Sequence, residues 1–158
     1  RAGARRAKQV YGTHIPADLR READVMVVNA YPLDSDPIQI SKSLWCRGYF
    51  EKAYSVVVNP AVDGIYYHGL FDRMDWKRYN TLRLARQPMS DPEPVLGRRD
   101  QVIVWSENFP VHDFSRKMPN DILVRKWQTV IDLLEPVAPA NAKVAVFPAS
   151  GIQLLAEE

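Results

Sequence analysis

The sequence of 158 residues holds a single cysteine, Cys46. That excludes an internal disulfide framework and fits a reducing compartment. No apolar run approaches the roughly 18 residues that a membrane-spanning helix needs, and no signal peptide opens the chain. A cytoplasmic protein without a membrane partner is therefore expected. Metal-ligand spacing is missing too: His14, His68 and His112 are scattered, and neither paired cysteines nor a His-Glu-x-x-His pattern occurs. With no phosphate loop and no Gly-x-Gly-x-x-Gly, nucleotide binding would rest on fold analogy alone. The net charge of +2 is too small to argue for nucleic acid by itself.

What is present is ordinary globular composition, 46% apolar and 25% charged, in a chain long enough to bury one continuous core. Charge is uneven along it. Arg1, Arg5, Arg6, Lys8, Arg20 and Arg21 face only Asp18 within the first 21 residues, and the rest of the chain is acidic on balance. A basic segment of this kind binds phosphates or simply forms a solvated helix. Arg1 begins directly in a helix-forming stretch with no initiator methionine. Residues 1–158 are accordingly expected to be one domain of a larger protein.

Four valine-rich runs read as buried strands covered on both faces: Asp24–Asn29, Tyr54–Asn59, Gln101–Ser106 and Lys143–Pro148. Helical stretches lie between them. Residues 2–10 lead to a stop at Gly12. Asp36-Pro37 is a compact start, with Asp36 as N-cap and Pro37 in the first turn, for a helix reaching about Arg47. A weaker helix is expected over Asp75–Arg86. Over Asp121–Leu134, Leu123, Trp127, Val130, Ile131 and Leu134 fall on one helical face, and Glu135-Pro136 ends the pattern. Gln87–Arg99 is a proline-rich loop. Strands alternating with helices predict an α/β fold of three layers, a mostly parallel open sheet with helices on both faces.

In such sheets, ligands gather outside the carboxyl ends of the strands. The first run ends at Asn29-Ala30-Tyr31-Pro32-Leu33-Asp34 and feeds the helix capped by Asp36. Gln39 and Lys42, three residues apart, project from nearly one face near the positive end of that helix. An amide, an ammonium and a helix amino terminus suit a small carboxylate or phosphate. The same spacing also describes a solvated helix face, with Ile38, Ile40, Leu44 and Trp45 buried in either case. His68, just past Asp63-Gly64, is either a cleft residue or a surface-loop histidine. Cys46 reads as an inert core thiol, and Tyr66, Tyr67 and Trp105 as packing residues.

Residues 23–34, Ala-Asp-Val-Met-Val-Val-Asn-Ala-Tyr-Pro-Leu-Asp, followed by Ile38-Gln39-Ile40-Ser41-Lys42, resemble the second half of the lactate racemase family. The shared pattern is a strand, a Pro-x-Asp turn and a helix carrying Gln-x-x-Lys. Further matches are Val56–Asn59 with Asp63-Gly64, then Val102–Ser106, and the closing segment 142–148 with Gly151. The resemblance is diffuse but collinear over almost the whole chain.

It implies the carboxyl-terminal domain of a two-domain racemase or epimerase acting on 2-hydroxy acids by hydride transfer to a nickel-pincer nucleotide. The cofactor tether, nickel ligand and catalytic histidines would belong to an amino-terminal domain, the chain's expected partner, and this domain would hold no cofactor of its own. Lys42 is implied as the catalytic and substrate-binding cation, Gln39 as a substrate hydrogen-bond partner, and Tyr31 as a further substrate contact. Three positions depart from the family pattern. Asn29-Ala30 replace glycines, Ile38 replaces a tyrosine, and Pro60-Ala61 stand where an acidic or sulfur residue is common. The missing tyrosine makes the implied pocket more apolar and leaves the substrate open. A related module without catalysis, and an unrelated α/β module binding a phosphorylated ligand or nucleic acid, are the other readings.

Overall fold

The four valine-rich runs supply the three inner strands and one edge strand of a five-stranded, wholly parallel sheet in the order β5-β4-β3-β2-β6. The computed structural model describes residues 2–64 and 93–156. Its main strands are β2 (Val25–Asn29), β3 (Tyr54–Val58), β4 (Val102–Trp105), β5 (Ile122–Val124) and β6 (Val144–Phe147). Two short strands at the ends of the chain, β1 (Gly12–Thr13) and β7 (Leu154–Leu155), pair in parallel as a separate ribbon. The expected helix over 75–86, Tyr66, Tyr67, His68 and residues 87–92 of the proline-rich loop lie outside the described residues.

Helices cover both faces, as the alternation predicts. Helix α1 (Ala2–Tyr11) precedes the ribbon, and α2 (Ala17–Glu22) leads into β2. On one face Met26, Val28, Val57, Val104 and Phe147 pack with Ile40, Cys46, Phe109 and Phe114. On the other, Val25, Val56, Ile103, Ile122 and Val124 pack with Val130 and Leu134. Strands buried on both sides bury apolar side chains at every position, which is why they read as continuous valine runs. Helices α4 (Val111–Lys117) and α5 (Trp127–Leu134) complete the layers. The periodicity had indicated neither α2 nor α4, both too short to show a repeat.

Three expectations need correction. The helix read over Asp121–Leu134 is two elements. Ile122 and Val124 face one core and Leu123 the other, the alternation of a strand, with two of the three residues β-branched. Asp121 fixes the start of β5 by accepting the Val102 N–H at 2.8 Å. Helix α5 then begins only at Trp127. It buries Val130 and Leu134 but leaves Trp127 and Ile131 partly in solvent, so its inner face is rotated from the one read across the longer stretch.

The second concerns Asp36 to Arg47, which is not one helix. A 3-10 turn (Pro37–Gln39) passes into α3 (Ile40–Ser43) and then into a second 3-10 stretch (Leu44–Tyr49). Only four residues are α-helical, so little of a helix dipole can develop there. The third is β6, covered on one face only. Ala145 and Phe147 are buried while Val144 and Val146 stand exposed. Among the described residues no helix is long and apolar enough to cross a membrane.

Candidate functional site at the carboxyl edge of the sheet

Each strand of the sheet ends in, or is followed at once by, a polar or turn residue. These residues lock the loops together. Asn29 closes β2, Asn59 follows β3, Ser106 follows β4 and Arg125 follows β5. Asn59 and Ser106 are fully buried, so their polar atoms need partners inside the protein. Ser106 Oγ donates to the Pro60 carbonyl at 3.3 Å and accepts the Phe109 N–H at 3.1 Å. Asn108 Nδ2 donates to the same Pro60 carbonyl at 2.9 Å, and Arg125 donates to the Ser106 carbonyl at 2.8 Å. Ala61, in the same loop, holds φ at 53°, a left-handed conformation that alanine rarely adopts and that the surrounding bonds must maintain.

The segment bearing Gln39 and Lys42 is built by its cap. Asp36 Oδ1 accepts the Ile38 N–H at 2.8 Å, and Pro37 occupies the next position, where its missing N–H leaves nothing unsatisfied. The Asp36 carbonyl accepts the Gln39 N–H at 3.2 Å and also Asn59 Nδ2 at 3.3 Å. Ser43 Oγ donates to the Gln39 carbonyl at 3.3 Å. Ser150 Oγ donates to the Ser43 carbonyl, and its own carbonyl accepts Trp45 Nε1 at 3.1 Å. The Ser150 N–H donates to the Asn29 carbonyl at 2.9 Å. The Gln39–Ser43 segment is thus tied to the ends of β2 and β3 and to the turn after β6.

Within this frame the three residues singled out from sequence have different surroundings. Gln39 is buried at 7% exposure. Lys42 is on the surface and makes no ion pair or hydrogen bond among the described residues. Tyr31 is 57% exposed and follows Asn29, whose Oδ1 accepts its N–H at 3.0 Å. All three belong to the connection leaving the carboxyl end of β2. Three-residue spacing implies a shared face, and on it Gln39 is buried while Lys42 is exposed.

Sequence reasoning missed Asn59, Ser106, Arg125 and Ser150. The available signal was positional for Asn59 and Ser106, a polar residue at the end of a valine-rich run, and Arg125 and Ser150 carried none. Asn59 also carries a buried Oδ1 that accepts no hydrogen bond among the described residues, a costly feature for an interior amide.

Of the shifted ionisable groups, Cys46 lies in the 3-10 stretch after Ser43, beside Ser150, and Asp24 and Lys143 lie away from this edge. Burial pushes the Cys46 thiol up to about 12. At the amino end of the sheet, the Lys143 N–H and then the Lys52 ammonium hold Asp24 below the usual carboxylate range. Lys143 is raised in turn by its contact with Glu22. These are features of the scaffold. Among the described residues no three His, Cys, Asp or Glu side chains gather closely enough to hold a metal ion.

No protein-family model and no curated protein sequence matches the chain. The fold does have a solved counterpart. The lactate racemase apoprotein of Thermoanaerobacterium thermosaccharolyticum superposes on 99% of this chain with a TM-score of 0.60. Sequence identity is 12%, so the likeness is one of fold. The chain spans 40% of the length of that structure. The α/β architecture of a parallel sheet between helices is shared with it.

Proposed function

We propose that this chain is the substrate-side domain of a larger, two-domain enzyme that interconverts 2-hydroxy acid stereoisomers. The observation that carries the proposal is the place of Lys42. It is a surface cation with no ion pair or hydrogen bond among the described residues, three residues after a buried glutamine, on the connection leaving the carboxyl end of a parallel strand. That end of the sheet is where α/β folds collect ligands. The Pro-x-Asp and Gln-x-x-Lys pattern and the fold shared with a lactate racemase support the same reading.

In this proposal Lys42 meets the carboxylate of the substrate or the oxygen that gains charge as the hydroxy acid becomes a keto acid. An ammonium held where negative charge develops stabilises that charge most once water is excluded. Gln39 hydrogen-bonds the substrate, and Tyr31 borders it. The resemblance assigns hydride transfer to a nickel-pincer nucleotide carried by an amino-terminal domain. The resemblance leaves this chain the part of binding and orienting substrate and closing the cleft. Half a cleft excludes water poorly, and the isolated chain is expected to be inactive.

A panel of chiral 2-hydroxy acids tests this, incubated with the full-length protein produced alongside the cofactor-synthesis enzymes. Racemisation of one member, abolished by Lys42→Ala with the fold intact, supports the reading. Racemisation unaffected by that substitution removes Lys42 from its role. A second reading, a binding module of the same fold without catalysis, draws on Ile38 and Asn29-Ala30, which depart from the family pattern. Nickel loading without racemisation of any panel member would favour it.

A further inference from the structure

The Gln39–Lys42 segment is too short and too irregular to hold itself in place. Its α-helical part is four residues long, between two 3-10 stretches. Isolated helices of that length have no stability of their own. Two buried side chains from distant parts of the chain grip it instead, one at each end.

At the leading end, Asn59 Nδ2 takes the second lone pair of the Asp36 carbonyl, whose first is used by the Gln39 N–H. Asn59 is fully buried just past β3, and its own N–H is fixed by the Trp105 carbonyl at 3.0 Å. The amide is therefore anchored to the sheet by its backbone and to the segment by its side chain. At the trailing end, Ser150 Oγ donates to the Ser43 carbonyl, while the Ser150 N–H is fixed to the Asn29 carbonyl at 2.9 Å. Ser150 is also fully buried. Both residues have the same construction: backbone bound to a strand end, side chain reaching across to the segment.

We propose that Asn59 and Ser150 are the positioning residues of the Gln39–Lys42 site, holding its two ends to the carboxyl edge of the sheet. This rests on reading Gln39 and Lys42 as substrate groups, because a one-ångström error in such groups is enough to lose most of their effect. Aliphatic packing alone, through Ile40 and Cys46, fixes how deep the segment sits. It leaves the segment free to slide along the sheet, since dispersion and hydrophobic contacts are not directional. The Asn59 and Ser150 side-chain bonds supply direction at the two ends of the segment itself, beside the Ala61 and Asp63 N–H bonds to the Asp34 and Ser35 carbonyls before it and the Trp45 bond to the Ser150 carbonyl after it.

The test uses Asn59→Asp, nearly the same shape as the native side chain. The ionised carboxylate cannot donate to the Asp36 carbonyl, whereas the protonated acid can. Full burial raises the carboxyl's pKa, so the donor returns as the medium is acidified from about pH 8 to about pH 5. Among the described residues the charged groups on the loops around it are Asp34, Asp36, Asp63, Glu107 and Arg125, and wild type measured at each pH removes the contribution of every other group. Hydrogen exchange of the full-length protein is followed by mass spectrometry in peptides covering 36–43.

The expected result at the higher pH is a tenfold or greater rise in exchange in those peptides, with β2 and β3 unchanged, and recovery on acidification. Ser150→Ala should loosen the Ser43 end of the segment without any such recovery. In the active protein, the KM of the racemised hydroxy acid should rise about tenfold in Asn59→Asp at the higher pH and fall back on acidification. Exchange that is unchanged, or raised equally throughout the sheet at every pH, overturns the proposal. If the wild-type protein racemises nothing, the exchange result still decides the positioning role, and the failure belongs to the functional reading.

Discussion

Gly151 lies against Ala30 so closely that a Cβ on Gly151 would stand 2.6 Å from the Ala30 carbonyl oxygen and 3.4 Å from Leu33 Cγ. The turn after β6 can therefore approach the end of β2 only with a hydrogen at position 151. The nearest atom is backbone, which cannot rotate aside. Gly151→Ala is expected to destabilise the protein by about 1–3 kcal/mol, the usual cost of overfilling a packed site. Urea unfolding should show a lower midpoint with an unchanged slope, and an unaltered midpoint would contradict the contact.

Cys46 is buried beside Met26, with Sγ 3.5 Å from Sδ, and burial pushes its thiol up to about 12. The thiolate is the reactive form, and near neutral pH almost none of it exists here. A disulfide reagent at about pH 8 should leave native protein unlabelled for far longer than urea-unfolded protein, whose cysteine has the ordinary value near 8.5. Equal labelling rates would place the thiol at the surface.

Asp24 ties the amino end of β2 to β6 by accepting the Lys143 N–H at 2.9 Å and pairing with Lys52 at 2.9 Å. Its carboxyl is held low chiefly by the Lys143 N–H, then by Lys52. A carboxyl lowered in the folded state contributes stability above its unfolded value, near 3.9, and loses it as pH falls through the folded value. Wild type should therefore melt above Asp24→Asn at neutral pH, with the gap closing below about pH 4. A gap that is constant across that range would remove the charge from the explanation.

Leu134 and Ile131 separate the observed face of α5 from the one the sequence predicts. Leu134 is buried against β4 and β5, and Ile131 is 43% exposed. Leu134→Ala should cost about 2–5 kcal/mol, and Ile131→Ala far less, since the pocket it leaves is already open to water. Chemical denaturation of the two variants checks the difference, and equal losses would contradict the inner face described for α5.

Three of the five main strands, β2, β3 and β4, were legible because a parallel sheet covered on both sides buries nearly every residue of a strand, and β6 was legible by its valines although only one of its faces is covered. The local sequence then carries the whole signal. Asp36-Pro37 was legible for the same reason: a cap and a proline at the first turn act within three residues. The Gln39 and Lys42 pair was also visible, but not the environment of either member. Ile122, Leu123 and Val124 were absorbed into a helix, since three apolar residues fit either period until two cores are present to divide them.

By itself, then, the sequence determined the layered α/β architecture, four of the five main strands and the segment where chemistry is expected. Tertiary structure alone decided that Gln39 is buried and Lys42 exposed, that Val144 and Val146 of β6 stay uncovered, and that Asn59 and Ser150 grip the segment between them. Strand and cap signals come from steric and hydrogen-bonding preferences of near neighbours. The grip joins Asp36 to Asn59 and Ser43 to Ser150, 23 and 107 residues apart, and such bonds exist only once the sheet has brought its strand ends together.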